Sequence, residues 1–409
     1  MWPRFPSGWA ALLATLVAVL CVTRPGQATE APARVSVLTM GPGDHPFTRF
    51  GHNALLLEWN PGNRRQTAVY NFGTFEFDGV QGVRDFMAGR FRYWLSVSNL
   101  DATMRAYAAD RRSLTAQRLE LTEAERAVLY RVLAENAQPE HRYYDYDYYQ
   151  DNCSTRVRDV LDRLLSGALR RSAVGAGRLT FRQHTLTLVG DTPWLYFGLD
   201  LALGSPTDRP TTRWQELFLP QELHDALAVA TRELDGQRVP LVQSEQRLLS
   251  AERPALPRSP TTPWLALGGA GSALGGLFVA FGHGARRQRA LRVVFGVTTA
   301  LVGAALGLLG CALVVFWASK HWAAHANRSL LACPPWALGL AVLGVGFALG
   351  RPRSARPLQL LLGASLVSTA LLGLLALDRN GHESLRMTLF FLPLWAGWLW
   401  GARLASRAT

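Results

Sequence analysis

Cys153 stands in the run Tyr148-Tyr149-Gln150-Asp151-Asn152-Cys153-Ser154-Thr155-Arg156. Val157, Val160, Leu161, Leu164 and Leu165 follow at helical spacing, which predicts a helix from near Asn152 to about Leu165. Asp151 or Asn152 can cap it, and Cys153 then falls in its first turn. Free backbone N–H groups and the positive end of the helix dipole favour thiolate over thiol there. A thiol nucleophile is activated in this way. The same N–H groups can receive the oxyanion of a tetrahedral intermediate. Asp151, Asn152, Ser154 and Arg156 border the thiol and are candidates for oxyanion or substrate contacts. The alternative is a buried, inert cysteine.

A thiolate nucleophile usually needs an imidazole. Residues 29–262 offer His45, His52, His141, His184 and His224. His52 follows Phe50-Gly51 and opens a predicted strand, Ala54–Glu58, so its ring is held rigidly at a tight approach. His45 lies in a Gly/Pro loop and reads as surface, and His141 opens the aromatic run that ends at Tyr149. A third polar group orients the imidazole in such sites. Asn71, in Tyr70-Asn71-Phe72-Gly73, can do so, or can simply form a turn at a strand end. A metal site fits poorly, because Asp44, His45 and His52 match no common zinc spacing. There is no phosphate loop, dinucleotide fingerprint or G-x-S-x-G, and no cofactor is expected.

The elements that must position these residues lie in the middle of the chain. Val35–Met40, Ala54–Glu58, Thr67–Phe72 and Phe91–Val97 read as strands. Gly41-Pro42-Gly43 and Asn60-Pro61-Gly62-Asn63 separate them. Thr122-x-x-Glu125 is a capping box that opens a helix to about Asn136. Residues 168–250 look mixed and mostly helical. Pro254, Pro257, Pro260 and Pro263 form a stiff linker.

The chain has 409 residues and a formal charge of +13. Residues 29–262 hold 28 arginines and 28 acids, so they are neutral. Residues 263–409 hold 12 arginines, one lysine and two acids. The excess sits in short runs between apolar stretches, the pattern of topology-setting charge rather than of a nucleic-acid face. Residues 1–28 read as a secretory signal peptide, with Arg4, an apolar run from Trp9 to Val22, and Gly26-Gln27-Ala28. Five apolar segments follow the linker: Trp264–Gly282, Val293–Ala318, Pro334–Gly350, Leu358–Leu377 and Leu385–Ala402. Each is near the ~20 residues that cross ~30 Å of hydrocarbon. Arg286, Arg287, Arg289 and Arg292, then Arg351, Arg353 and Arg356, then Arg403 and Arg407 mark the cytoplasmic side. Residues 29–250 are then an exported domain, 251–263 a linker and 264–409 a membrane domain. Four cysteines give no disulfide framework, since Cys153 is alone in the exported domain.

Thr39-Met40-Gly41-Pro42-Gly43, Thr48-Arg49-Phe50-Gly51-His52-Asn53, Tyr70-Asn71-Phe72-Gly73-Thr74-Phe75 and Asp151-Asn152-Cys153-Ser154-Thr155-Arg156-Val157-Arg158-Asp159 resemble the Lnb family. Its members are membrane-bound lipoprotein N-acyltransferases with an N-terminal periplasmic domain. The resemblance implies an α+β, circularly permuted papain-like (NlpC-type) domain with His before Cys, followed by an all-α five-helix transmembrane domain in the bacterial inner membrane. It implies Cys153 and His52 as catalytic residues, with Asn71 as orienter. A permuted relative, lecithin:retinol acyltransferase, moves acyl groups from phospholipid through a Cys thioester. A phospholipid donor and a lipoprotein acceptor follow. His321, Asn327, Ser329-Leu330-Leu331 and Pro334 are similar to a His…Asn-x-Asn-Leu-Leu…Pro motif of the family, with Ser329 at the second Asn position. Outer loops carrying His321, His325, Asn327 and His382 would roof the site or hold a headgroup. Tyr146, Tyr148 and Tyr149 would pack, or shape an acyl entrance. The rivals are an NlpC-type cell-wall peptidase or amidase, and a non-enzymatic membrane scaffold.

Overall fold

A computed structural model describes residues 31–407 except 63, 77, 254–256 and 378–381, and no side chain at 382 or 383. The expected signal peptide, and Pro254 of the linker, lie outside the described residues.

The chain begins with β1 (Arg34–Met40), β2 (His52–Trp59) and β3 (Gln66–Thr74). After α1 (Gly79–Ala88) come β4 (Arg92–Ser98), α2 (Leu100–Ala109), β5 (Leu114–Leu119), α3 (Glu123–Asn136) and β6 (Tyr143–Asp145). The four predicted strands are present, and β5 and β6 are additions. With β11 (Val242–Leu249) these form one antiparallel sheet in the order β11-β5-β1-β2-β3-β4-β6. The run Ala54–Leu57 of β2 is wholly apolar because both faces of the sheet are covered there. Val37, Leu55, Leu57, Tyr70 and Phe72 face α4 (Cys153–Leu164) through Val157, Val160 and Leu161. Leu38, Met40, Ala54, Leu56 and Val69 face Leu100 of α2. Each fully buried Leu or Val contributes about 1.5–3 kcal/mol, so α4 is fixed on the sheet. The capping box at Thr122 forms as predicted, with both of its hydrogen bonds made.

Residues 168–249 are less helical than expected. They contain α5 (Ala168–Ser172), β7 (Ala176–Thr180), α6 (Phe181–Leu188), α7 (Pro193–Ala202), β8 (Pro210–Thr212), α8 (Arg213–Glu216) and α9 (Pro220–Val229). The hairpin of β9 (Thr231–Leu234) and β10 (Gln237–Pro240) then leads to β11.

The remainder is helical: α10 (Trp264–Ala285), α11 (Arg289–Ala318), α12 (Gly339–Ala348), α13 (Ala355–Leu375) and α14 (His382–Ser406). Among the described residues, three helices are long and apolar enough to cross a membrane. They are α10, α11, and α13 with its short lead-in from Pro352. The expected count of five spans is not confirmed among the described residues. The third segment is a broken pair, Trp322–Leu331 and Pro335–Ala348, bent by 58°. Pro334 and Pro335 lack the N–H a continuous helix requires. The fifth, α14, is long, but Arg386 and the tryptophans at 395, 398 and 400 lower its apolarity.

Glycines let these helices touch backbone to backbone. A Cβ on Gly271, Gly275 or Gly282 of α10 would strike the carbonyl oxygen of Phe390, Pro393 or Gly401 of α14. The two helices therefore run parallel in tight contact. Gly296, Gly303 and Gly307 of α11 meet α12 and its lead-in in the opposite sense. The segment between α11 and α12 is tied to the sheet domain. His321 Nε2 lies 2.6 Å from Phe86 O, and Gly204 N–H donates to Ala323 O at 2.7 Å.

Candidate active site

Asn152 is the N-cap of α4. Its Oδ1 accepts the Thr155 N–H at 2.9 Å, and Thr155 Oγ1 accepts the Asn152 N–H at 2.7 Å. Its Nδ2 donates to the carbonyls of Tyr148 at 2.7 Å and Phe218 at 2.9 Å. Of the two capping candidates Asn152 takes the role, and Cys153 becomes the first helical residue. Asp151 instead grips Arg156 through two hydrogen bonds of 2.6 and 2.7 Å. That guanidinium lies 3.5 Å from the Tyr144 ring centroid.

The Cys153 side chain is buried. Its sulfur accepts from the backbone N–H groups of Asn53, Ser154 and Cys153 itself, and from the Tyr146 hydroxyl. The Asn53 N–H belongs to the peptide that joins it to His52, so the thiol meets β2 at its first peptide bond. Asn53 is built into this contact. Its Nδ2 donates to Thr39 Oγ1 at 2.8 Å, and its Oδ1 accepts from the Ser154 hydroxyl. β1, β2 and α4 are thereby pinned together at the thiol.

The approach to His52 requires glycine at 51. Its φ is +81°, and a Cβ there would lie 2.8 Å from Met40 O. Across the sheet, Asn71 Nδ2 donates to Val69 O at 3.2 Å and Ser98 Oγ at 3.4 Å. Its side-chain oxygen is left for the His52 ring, with which it hydrogen-bonds. Asn71 is thus placed to fix the ring.

The electrostatics differ from the sequence-based expectation. Burial lowers the His52 pKa to about 4, helped by the charge of Arg112, although the Asn71 bond opposes this. Burial also raises the Cys153 pKa, against the N–H groups and Tyr146 that lower it. Desolvation outweighs the helix terminus, so the resting pair is a neutral thiol and a neutral imidazole. Arg112 is held by Gly41 O at 2.8 Å and by the Tyr107 ring.

Spacing alone does not point to Tyr146 as a catalytic group. Its hydroxyl oxygen accepts the Cys153 N–H, and burial raises its pKa well above 10. It remains a phenol, a donor beside the sulfur. Nothing local in the sequence signals this, because the contact depends on β6 and α4 meeting at the sheet edge.

The residues carried over to the outer loop bind protein. Asn327 Nδ2 donates to Leu201 O and Ala202 O, both at 2.9 Å, and its Oδ1 accepts the Ser329 N–H at 2.8 Å. His325 Nε2 lies 2.9 Å from Ser319 O. Trp322 packs on Tyr149 and Phe181 at 5.7 and 5.8 Å between ring centroids. Tyr149 donates to or accepts from Thr185 Oγ1 at 2.9 Å. The His382 side chain is outside the described residues. Among the other histidines, His45 is exposed, His141 pairs with Glu135, His184 with Glu216, and His224 with Asp225 and Glu245.

Residues 26–186 match the family model described as the Lnb N-terminal periplasmic domain. The chain carries an Lnb-type periplasmic domain. With three helices apolar and long enough to span a bilayer, it is a membrane protein with a periplasmic domain. No curated protein and no solved structure matches the chain. The Lnb match covers β1 to β6, α4 and the whole Cys153–His52–Asn71 region.

Proposed function

We propose that this Lnb-type protein is a thiol-dependent N-acyltransferase of the bacterial inner membrane. It moves a fatty acyl group from a phospholipid to the N-terminal amine of a lipoprotein. The observation that carries the reading is a buried cysteine at a helix N-terminus, hydrogen-bonded to the peptide that follows His52, in a domain anchored to apolar helices. The order of histidine strand before cysteine helix, on an antiparallel sheet, supports a circularly permuted papain-like arrangement.

His52 takes the thiol proton as Cys153 attacks the ester carbonyl. A neutral imidazole can accept the proton of a neutral thiol in that coupled transfer. The Cys153 N–H and the Tyr146 O–H meet at one point beside the sulfur and can receive the oxyanion. The ester C–O bond breaks, His52 returns the proton to the glycerol oxygen, and lysophospholipid leaves. The lipoprotein α-amine then attacks the acyl-thioester. His52 takes one amine proton and returns it to the departing thiolate, restoring the free enzyme and giving the amide. Asn71 keeps the ring oriented through both halves. The outer segment at 321–331 closes over the domain, where excluded water protects the thioester.

The test is to incubate the purified full-length protein with a clickable phospholipid. A hydroxylamine-labile acyl group on Cys153, absent from Cys153→Ala, is the expected result. No label, together with altered muropeptides in a Cys153→Ala strain, would replace acyl transfer with cell-wall hydrolysis. Normal lipoprotein acylation in Cys153→Ser and His52→Ala strains would leave a scaffold.

A further inference from the structure

A row of aromatic rings leads from a membrane-spanning helix to the thiol. Phe316 is near the end of α11 that meets the sheet domain. Its ring centroid lies 6.3 Å from that of Phe86 on α1. Phe86 lies 6.2 Å from Phe91, and Phe91 lies 5.6 Å from Phe75 and 5.4 Å from Tyr93. Tyr93 stacks on Tyr146 at 4.0 Å, and the Tyr146 hydroxyl reaches the sulfur of Cys153. Phe91 and Tyr93 are buried, whereas Phe316, Phe86, Phe75 and Tyr146 are only partly covered. The row is therefore accessible at both ends and at Phe75, with Phe91 and Tyr93 as its buried floor.

The surface around it is apolar as well. Phe47, at 5.4 Å from Phe75, is 52% exposed, Val83 is 50% exposed and Val80 is 88% exposed. Val80, Val83 and Met87 share one face of α1 by their spacing, and its two valines are exposed. Exposed apolar patches of this kind mark contact with lipid or a partner. Exposed Arg84 and Arg90 flank the patch, as cations do at a headgroup boundary. α1 is fixed against the membrane part by the Phe86 contacts and by Gly89, where a Cβ would lie 2.9 Å from Lys320 Cβ.

We infer that α1 lies in the outer headgroup layer and that the Phe316-to-Tyr146 row is the binding track for one acyl chain of a membrane lipid, laid from the bilayer to Cys153. The occupant follows from the two ends of the row. One end is continuous with a helix that faces hydrocarbon, and the other is the thiol. Headgroup and glycerol then stay at the interface beside α1. This track deepens the acyl-transfer reading and rests on it for the fate of the chain, but its occupancy can be measured without any transfer.

The experiment uses full-length Cys153→Ala protein in nanodiscs of phospholipid bearing a photoreactive diazirine within one acyl chain. After irradiation, adducts are mapped by mass spectrometry. Adducts on 75–93 are expected. Adducts confined to the membrane helices, or spread evenly over the sheet domain, would overturn the track. In otherwise native protein, Phe86→Ala and Val83→Asp are compared for Cys153 acylation by a long-chain phospholipid and by a short-chain soluble ester. The long-to-short ratio should fall about tenfold or more in each variant, as loss of apolar contact with the chain implies. An unchanged ratio sinks the proposal. Acylation by neither ester, with adducts still on 75–93, would refute the transferase reading and leave the lipid track standing.

Discussion

At the scale of single residues, the site is a compromise between burial and charge. Cys153 has the helix terminus that usually yields a thiolate, yet its pKa is raised because the sulfur is desolvated. His52 is lowered to about 4 for the same reason. A depressed histidine pKa means the ring is neutral, and able to accept a proton, at every pH above that value. Acylation of Cys153 by an ester should therefore fall as pH drops through about 4. Asn71→Asp places a carboxylate on the ring and favours the imidazolium, so the midpoint should move to higher pH. A purely structural Asn71 would change the rate without moving the midpoint, and a pH–rate profile of the acylation burst separates the two. Tyr146→Phe keeps the stack on Tyr93 and deletes the hydroxyl. Loss of one oxyanion donor costs about 10²–10³ in rate, so ester acylation should fall that far. Alkylation of Cys153 by iodoacetamide forms no oxyanion and should fall much less. A parallel fall in both rates would make Tyr146 a thiol-positioning residue.

At the scale of elements, some features were legible locally and others were not. The helix at Cys153 was readable because Val157, Val160, Leu161 and Leu164 recur at helical spacing, and its structure spans Cys153–Leu164. The capping box at Thr122 was equally local. β5 and β11 escaped notice because Leu114–Leu119 and Val242–Leu249 are rich in polar residues, and their pairing joins segments more than a hundred residues apart. The hydrogen bonds of Asn53 and Tyr146 to the thiol are likewise products of the fold. The apolarity of Pro334–Gly350 was legible, whereas the bend at its two prolines was not. The cap of α4 gives a prediction of its own. Asn152→Ala removes the cap, typically about 1 kcal/mol, and strips donors from the carbonyls of Tyr148 and Phe218, about 1–3 kcal/mol more. A thermal melt should show a large drop in Tm. Asn152→Asp keeps the capping oxygen and should recover part of it. Equal losses in the two variants would mean the cap itself is of no account.

At the scale of the whole molecule, the periplasmic domain and the membrane helices share a buried ionic cluster. Asp200 on α7 accepts two hydrogen bonds from Arg386 on α14, at 2.6 and 2.8 Å, and another from Arg182 at 3.1 Å. Arg182 also holds Asp208 at 2.6 Å. Asp200 is fully buried, and both arginines are nearly so. Removing one partner from such a cluster leaves an unpaired buried charge and costs about 3–5 kcal/mol. Arg386→Ala should therefore loosen the domain from the bundle. Limited proteolysis of the 251–263 linker, accelerated in the variant and restored in Arg386→Lys, is the measurement. Unaltered cleavage in Arg386→Ala would show that the aromatic and loop contacts suffice alone.

The parallel contact of α10 with α14 has a consequence for biogenesis. α10 waits for α14, which is translated after α11, α12 and α13, and that later arrival also brings the Arg386 guanidinium to Asp200. A nascent chain halted before α14 leaves the glycine face of α10 uncovered and Asp200 paired with Arg182 but not with Arg386. Docking of α14 thus seals the glycine face of α10 and completes the ionic cluster in a single step.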